Sequence, residues 1–200
     1  MATSQKIDAI RALAHGAYDE RGELRPLRDQ IGSYFMKDMP TSDMFVVAES
    51  SSELGIPNGL DAPLMMTQNT FNKITEVHEI EPSLVADIAH QIQVHVLAME
   101  SITRPNSTVL VLDAKDKDGK DIIAAVHCRV KKDIAEIDEI ASVYGKEHLA
   151  FLIENTEAAG KKIFVNERTG DWVSRTGLPL PERTFNHLSK LLYDFEVAKR

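Results

Sequence analysis

The sequence predicts an α+β fold, with strands gathered in mid-chain, helices before and after them, and a helical N-terminal appendage. Three observations carry this. Two β-branched runs, Thr108–Asp113 and Ile122–Val130, flank a charged turn centred on Asp118-Gly119, and a third run, Ile134–Tyr144, follows at once. An Asp-Gly pair between such runs signals a hairpin, because Gly accepts positive φ at little cost, so the three runs read as an antiparallel meander. Apolar residues recur at helical spacing on both sides of these runs, and the order helices–strands–helices is that of α+β proteins, not of alternating βαβ units.

The elements follow in order. Ile7, Ile10, Leu13, Ala14 and Ala17 recur at helical spacing, so residues 4–18 read as an amphipathic helix. Pro26 opens a second helix whose face is Leu27, Ile31, Tyr34 and Phe35. Met44–Ala48 reads as a short strand. The Ser-, Gly- and Pro-rich stretch after it places a boundary near residue 60. Residues 1–60 are then a helical appendage and linker, and 61–200 the main domain. Leu64–Met66 reads as a strand, and Thr67 as the N-cap of a helix through Phe71, Ile74 and Val77 that stops near His78. Pro82 begins a helix with Leu84, Ile88 and Ile92 on one face, and Val94–Met99 is a strand before the meander. A helix from Glu147 ends at Gly160, Ile163–Asn166 is extended, and Asp171–Thr176 is a short helix. A last helix from Pro181 points Phe185, Leu188, Leu191, Leu192 and Phe195 inward.

Bulk composition narrows the function. The 200 residues are 43% hydrophobic and 27% charged, a globular balance. The formal net charge of −8 argues against a non-specific nucleic-acid binder, since phosphate neutralisation needs basic excess, but leaves a nuclease with a local basic patch open. The first ten residues lack a signal-type apolar core, and no apolar run is long enough to span a bilayer, so a cytoplasmic protein without membrane attachment is expected. Carriage in a virion or delivery into a bacterial cell would leave the same sequence. The single cysteine, Cys128, sits among apolar residues and reads as a buried thiol.

Seven histidines are the first candidates for chemistry, because imidazole titrates near neutrality. His78 stands at a helix end, where it serves either as a general base beside a loop or as a cation favouring the helix dipole. His127 lies on a central strand and reads as a core or sheet-face residue. No H-E-x-x-H, no H-x-H and no Cys/His cluster is present, so no metal site is expected; phosphate-binding glycine loops and the nucleophile elbow are missing too, and no cofactor is expected. Ser142 and Tyr144 fall two apart on a strand and share a face, Gly145 permits a sharp exit, and Lys146 follows. A hydroxyl, a phenol and an ammonium there would suit a phosphate, or form an ordinary strand end. Ser101, Thr103 and Arg104 make a second polar cluster, with Arg104 either a phosphate fork or a solvated loop residue.

On these residues a resemblance enters. The stretch from about Leu64 to Pro181 resembles the C-terminal toxin-type domain of phage MuF head-morphogenesis proteins and of large polyvalent phage proteins. Its landmarks are Met66 to His78, M-E-S-I-T-R-P-N-S from Met99 to Ser107, the strand pair around D-A-K-D-K-D-G-K, I-D-E-I-A-S-V-Y-G-K from Ile137 to Lys146, and Gly177 to Pro181. That family is similar to the barnase, EndoU, colicin and RelE-like group of metal-independent ribonucleases. The resemblance implies helices packed on a central antiparallel four-stranded sheet, and RNA cleavage by attack of the ribose 2′-hydroxyl on the adjacent phosphate. It implies His78 as general base or acid, Ser142, Tyr144 and Lys146 on the scissile phosphate, and Ser101 and Arg104 lining the same face. RNA and a neutralising or phage structural protein are the implied partners. The chain departs from the family pattern at Asp138, where Asn is expected near the phosphate.

Two other readings use the same scaffold. One is a non-catalytic virion-associated or interaction module that docks a partner helix on Phe185, Leu188, Leu192 and Phe195. The other is an ADP-ribosyl or nucleotidyl transferase.

Overall fold

The computed structural model of the chain describes residues 2–40, 42–59, 61–132 and 135–199, with side chains from Asp8 onward. Ile134, the first residue of the expected third run, lies outside the described residues, as does the side chain of Ile7. Helices α1 (Ala2–Leu13) and α2 (Leu27–Phe35) precede β1 (Met44–Ala48), β2 (Leu64–Thr67) and α3 (Gln68–Asn72). Then come α4 (Pro82–Ala86), α5 (Ile88–Gln93), β3 (Leu97–Glu100), β4 (Ser107–Lys115), β5 (Asp121–Lys132) and β6 (Ala135–Lys146). The chain closes with α6 (Leu149–Ala158), β7 (Ile163–Val165), α7 (Thr169–Thr176) and α8 (Glu182–Ala198).

The fold is α+β, but its sheet corrects the four-stranded antiparallel expectation. Seven strands lie in the order β1-β2-β6-β5-β4-β3-β7. The pair β2–β6 is parallel, through Leu64↔Asp138 and Met65↔Glu139, and the other neighbours are antiparallel. The physical reason is that the meander β4-β5-β6 has two open edges. One is covered by β3 and then β7, the other by the short β2 and β1. Strand β1 therefore belongs to the same sheet as the meander, and α2 packs on it. The buried Gln30 of α2 donates from Nε2 to the Val46 carbonyl at 3.0 Å, and its Oε1 accepts from the Val46 amide at 2.9 Å.

The alternation of side chains makes two faces. On one, α2 to α5 press Leu27, Ile31, Phe71, Ile74, Val85, Ile88 and Ile92 onto Leu64, Leu110, Ala124, Val126 and Ile140. The expected single helix after Pro82 is broken at Asp87 (φ −103°, ψ 12°), giving α4 and α5. The other face is covered in two separate patches. At one end α6, α7 and α8 bury Leu149, Ile153, Trp172 and Leu188 against Leu97, Met99, Val111 and Ile123. At the other, Ala14 and Ala17 cover Met44, Val46, Met65 and Ile137. Phe185, expected inward, is 49% exposed, because Thr184 and Leu188 take the buried side of α8.

Two local features give testable results. Gly119 turns the β4–β5 hairpin with φ 80°, and the Asp116 carboxylate organises it, accepting from the amides of Asp118 and Lys120. A Cβ on Gly145 would overlap that same carboxylate. Gly145→Ala should therefore cost about 1–3 kcal/mol, read as a lower midpoint in urea. Cys128 is buried, and that burial, reinforced by the Asp138 carboxylate, pushes its thiol up to about 11. Native protein at pH 8 should hold almost no thiolate and resist thiol reagents until denatured.

Candidate functional site

Between the two covered patches the second face of the sheet is left partly open. Residues 124–128 of β5 show how. Ala124, Val126 and Cys128 are buried in the first face, while Ala125 and His127 between them are only half-buried on the second. On β6 the matching residues are Glu139, Ser142 and Tyr144, also half-buried. Cross-strand pairs Ala125↔Ser142, His127↔Glu139 and Ser107↔His127 place these side chains on one strip over β4, β5 and β6.

His78 reaches this strip from the edge. Strand β2 pairs with β6 for only two residues before Thr67 ends it, its side chain accepting from the Thr70 amide at 3.0 Å to start α3. Helix α3 then runs beside β6 where the next strand would lie. Its last turn, Lys73–Val77, is π-helical, with the His78 amide donating to the Lys73 carbonyl at 3.0 Å. Such wide turns recur at functional sites. Glu79 adopts φ 52°, and the Ile80 amide closes the turn on the Ile74 carbonyl at 3.1 Å. Lys117 at the hairpin tip pairs with Glu79 at 2.5 Å, tying the loop that carries His78 to the meander.

The imidazole comes to rest over the strip. His78 Nε2 lies 3.3 Å from Ser142 Oγ, and its ring stands 5.4 Å from the Tyr144 ring, tilted by 38°. Burial, aided by the ammonium of Lys73, holds its pKa below the ordinary histidine value. His78 is therefore mostly neutral at neutral pH, the form that accepts a proton. His127 is also lowered, first by burial and then by the Arg104 guanidinium, against the opposing pull of Glu139. Glu139 in turn pairs with Lys132 at 3.4 Å.

Of the residues the sequence singles out, His78, Ser142 and Tyr144 come together. Arg104 is exposed on the β3–β4 turn, its charge felt at His127. Ser101 shapes that turn: its Oγ accepts from the Arg104 amide at 3.2 Å. Lys146 lies two residues beyond Tyr144, opposite Asp121, and lines a separate cavity of about 780 Å³ with Lys120, His148, Phe151 and Leu178. Asp138 has its carboxylate on the opposite face from Ser142, fully buried, accepting from Ser51 Oγ at 2.5 Å and from the Arg129 amide at 2.7 Å. The sequence signal for His127 facing the strip is the small-polar alternation Ala125, His127 against Ala124, Val126, Cys128, which marks one open and one buried face. Among the described residues no three His, Cys, Asp or Glu side chains converge as a metal site, and no helix is long and apolar enough to cross a membrane.

No curated protein and no solved structure matches the chain. A family model, the phage MuF C-terminal domain, matches residues 57–171. The match runs from the loop before β2 into α7, takes in β2 to β7, and contains His78, Arg104, His127, Ser142, Tyr144 and Lys146. Since that stretch is more than half of the molecule and all of the open strip, the chain belongs to the phage MuF C-terminal domain family.

Proposed function

We propose that this domain is a toxin-like, metal-independent ribonuclease that cleaves RNA by 2′-hydroxyl attack on the adjacent phosphate. The observation that supports the reading best is the neutral, partly buried His78 held 3.3 Å from Ser142 on an open strip of sheet. A ribonuclease of this kind needs a proton acceptor, phosphate-facing donors and a surface that a strand can reach. His78 accepts the 2′-proton. Ser142 and Tyr144 donate to the phosphate, and Arg104, whose charge reaches His127, offers it a cation.

The test is cleavage of total bacterial RNA and of a tRNA pool in EDTA, native chain beside His78→Ala. Clear cleavage that the variant loses supports the reading. Equal cleavage by both removes His78 from the mechanism. No cleavage by either moves the assignment to a non-catalytic interaction module of phage particles, and calorimetry with NAD and nucleotides then tests the transferase reading.

A further inference from the structure

The open strip carries a second imidazole that the reading above does not use. His127 stands on β5 two residues from Ala125, which faces Ser142 across the β5–β6 ladder. Residues two apart on a strand are separated by about 6.5–7 Å, and diagonal cross-strand neighbours by about 7–8 Å. His78 meets Ser142 from the outer edge of β6, whereas His127 lies on its inner side. The two rings thus stand on either side of the Ser142–Ala125 position, where the small Ala125 leaves room.

We propose that His127 is the second acid–base residue of this site, donating a proton to the departing 5′-oxygen of an RNA phosphodiester while His78 takes the proton of the 2′-hydroxyl. The proposal rests on the ribonuclease reading. The 2′-oxygen–phosphorus bond forms as the phosphorus–5′-oxygen bond breaks. One proton goes to His78 and one leaves His127, so the products are a 2′,3′-cyclic phosphate and a 5′-hydroxyl with no co-reactant.

The surroundings of His127 fit a donor once phosphate is bound. In the free protein burial, and then the Arg104 guanidinium on the β3–β4 turn, hold its pKa below the ordinary histidine value, Glu139 on β6 pulls the other way, and Lys132 is engaged with Glu139. A bound phosphate adds negative charge on the side of Glu139 and draws Arg104 to itself. Ser107, directly across β4 from His127, is 7% exposed, and its Oγ has no hydrogen-bond partner. Native proteins keep few such buried hydroxyls, and one beside an imidazole on an open strip fits a site completed by ligand or water.

The experiment compares native protein, His127→Ala, His127→Asn and His78→Ala in EDTA on two substrates: a mixed-base oligoribonucleotide, and ribonucleoside 3′-(4-nitrophenyl phosphates) of the four bases. The nitrophenolate leaves without a proton, so only the RNA needs the acid. Both His127 variants should lose on the order of a hundredfold on RNA and stay within about threefold of native on the aryl esters, whereas His78→Ala should fall on both. RNA cleavage near the native rate in the His127 variants would overturn the proposal and leave the ribonuclease reading standing. Equal losses on both substrates would also overturn it, making His127 structural. Native protein inert on both substrates would bring down the ribonuclease reading and this proposal together.

Discussion

His78→Ala will lower metal-independent RNA cleavage by on the order of a hundredfold or more. The side chain is half-buried at a helix end, its ring stands beside Ser142 and Tyr144, and the segment is held by Phe71 and Ile74 before it and Ile80 after it in the core. Truncating the ring would remove the proposed proton acceptor without opening that core, so the thermal melting point should move little while the rate collapses. The pH profile offers a second check. A group that acts as base works in its neutral form, and burial with the Lys73 charge lowers the His78 pKa. The acid limb of kcat/KM should therefore lie below the 6.5 of an ordinary histidine. Lys73→Ala removes one of the two causes and should move that limb toward higher pH.

Asp138→Ala should be the most damaging substitution for stability at any polar position. Its carboxylate is fully buried and accepts from the Ser51 hydroxyl and from the amide of Arg129, a residue with φ 62°. Alanine leaves both donors in the interior without that acceptor. Each such loss costs about 1–3 kcal/mol, so the pair amounts to on the order of 3 kcal/mol, a large part of an ordinary domain's stability. Asp138→Asn should cost much less. Its Oδ1 still accepts from Arg129, and its Nδ2 donates to the Ser51 oxygen instead of accepting from it. Urea titrations of the two variants against the native chain decide this, with similar midpoints for Ala and Asn counting against the argument. Asn at this position would therefore still tie Ser51 to the bulged β5.

What the sequence reveals is what is local. Asp118-Gly119 between two β-branched runs marks its hairpin through the positive φ of Gly119, and Thr67 marks its helix start through one hydroxyl and one amide three residues on. The parallel β2–β6 pairing has no such mark in the sequence, and Met44–Ala48 reads as a strand whose partner, β2, only the structure shows. The site divides in the same way. Ser142 and Tyr144 share a face by strand period, which the sequence shows. That His78 joins them depends on a π-helical last turn and on α3 lying along an edge where a strand would otherwise continue. That Lys146 opens on another cavity depends on where α6 starts. His127 differs again, since alternation on β5 gives it a face, but only the gap between two covered patches makes that face open.

The amide of Gln30 has one more consequence. An exposed sheet edge is where proteins most readily accept an extended segment from a partner, through backbone hydrogen bonds alone. At β1 the outward carbonyl and amide of Val46 are already occupied by Gln30. Strand addition is therefore closed to a partner at the midpoint of β1. On the ribonuclease proposal, a neutralising protein would reach His78 over the sheet face and the loops that border it, on the ground that substrate would use.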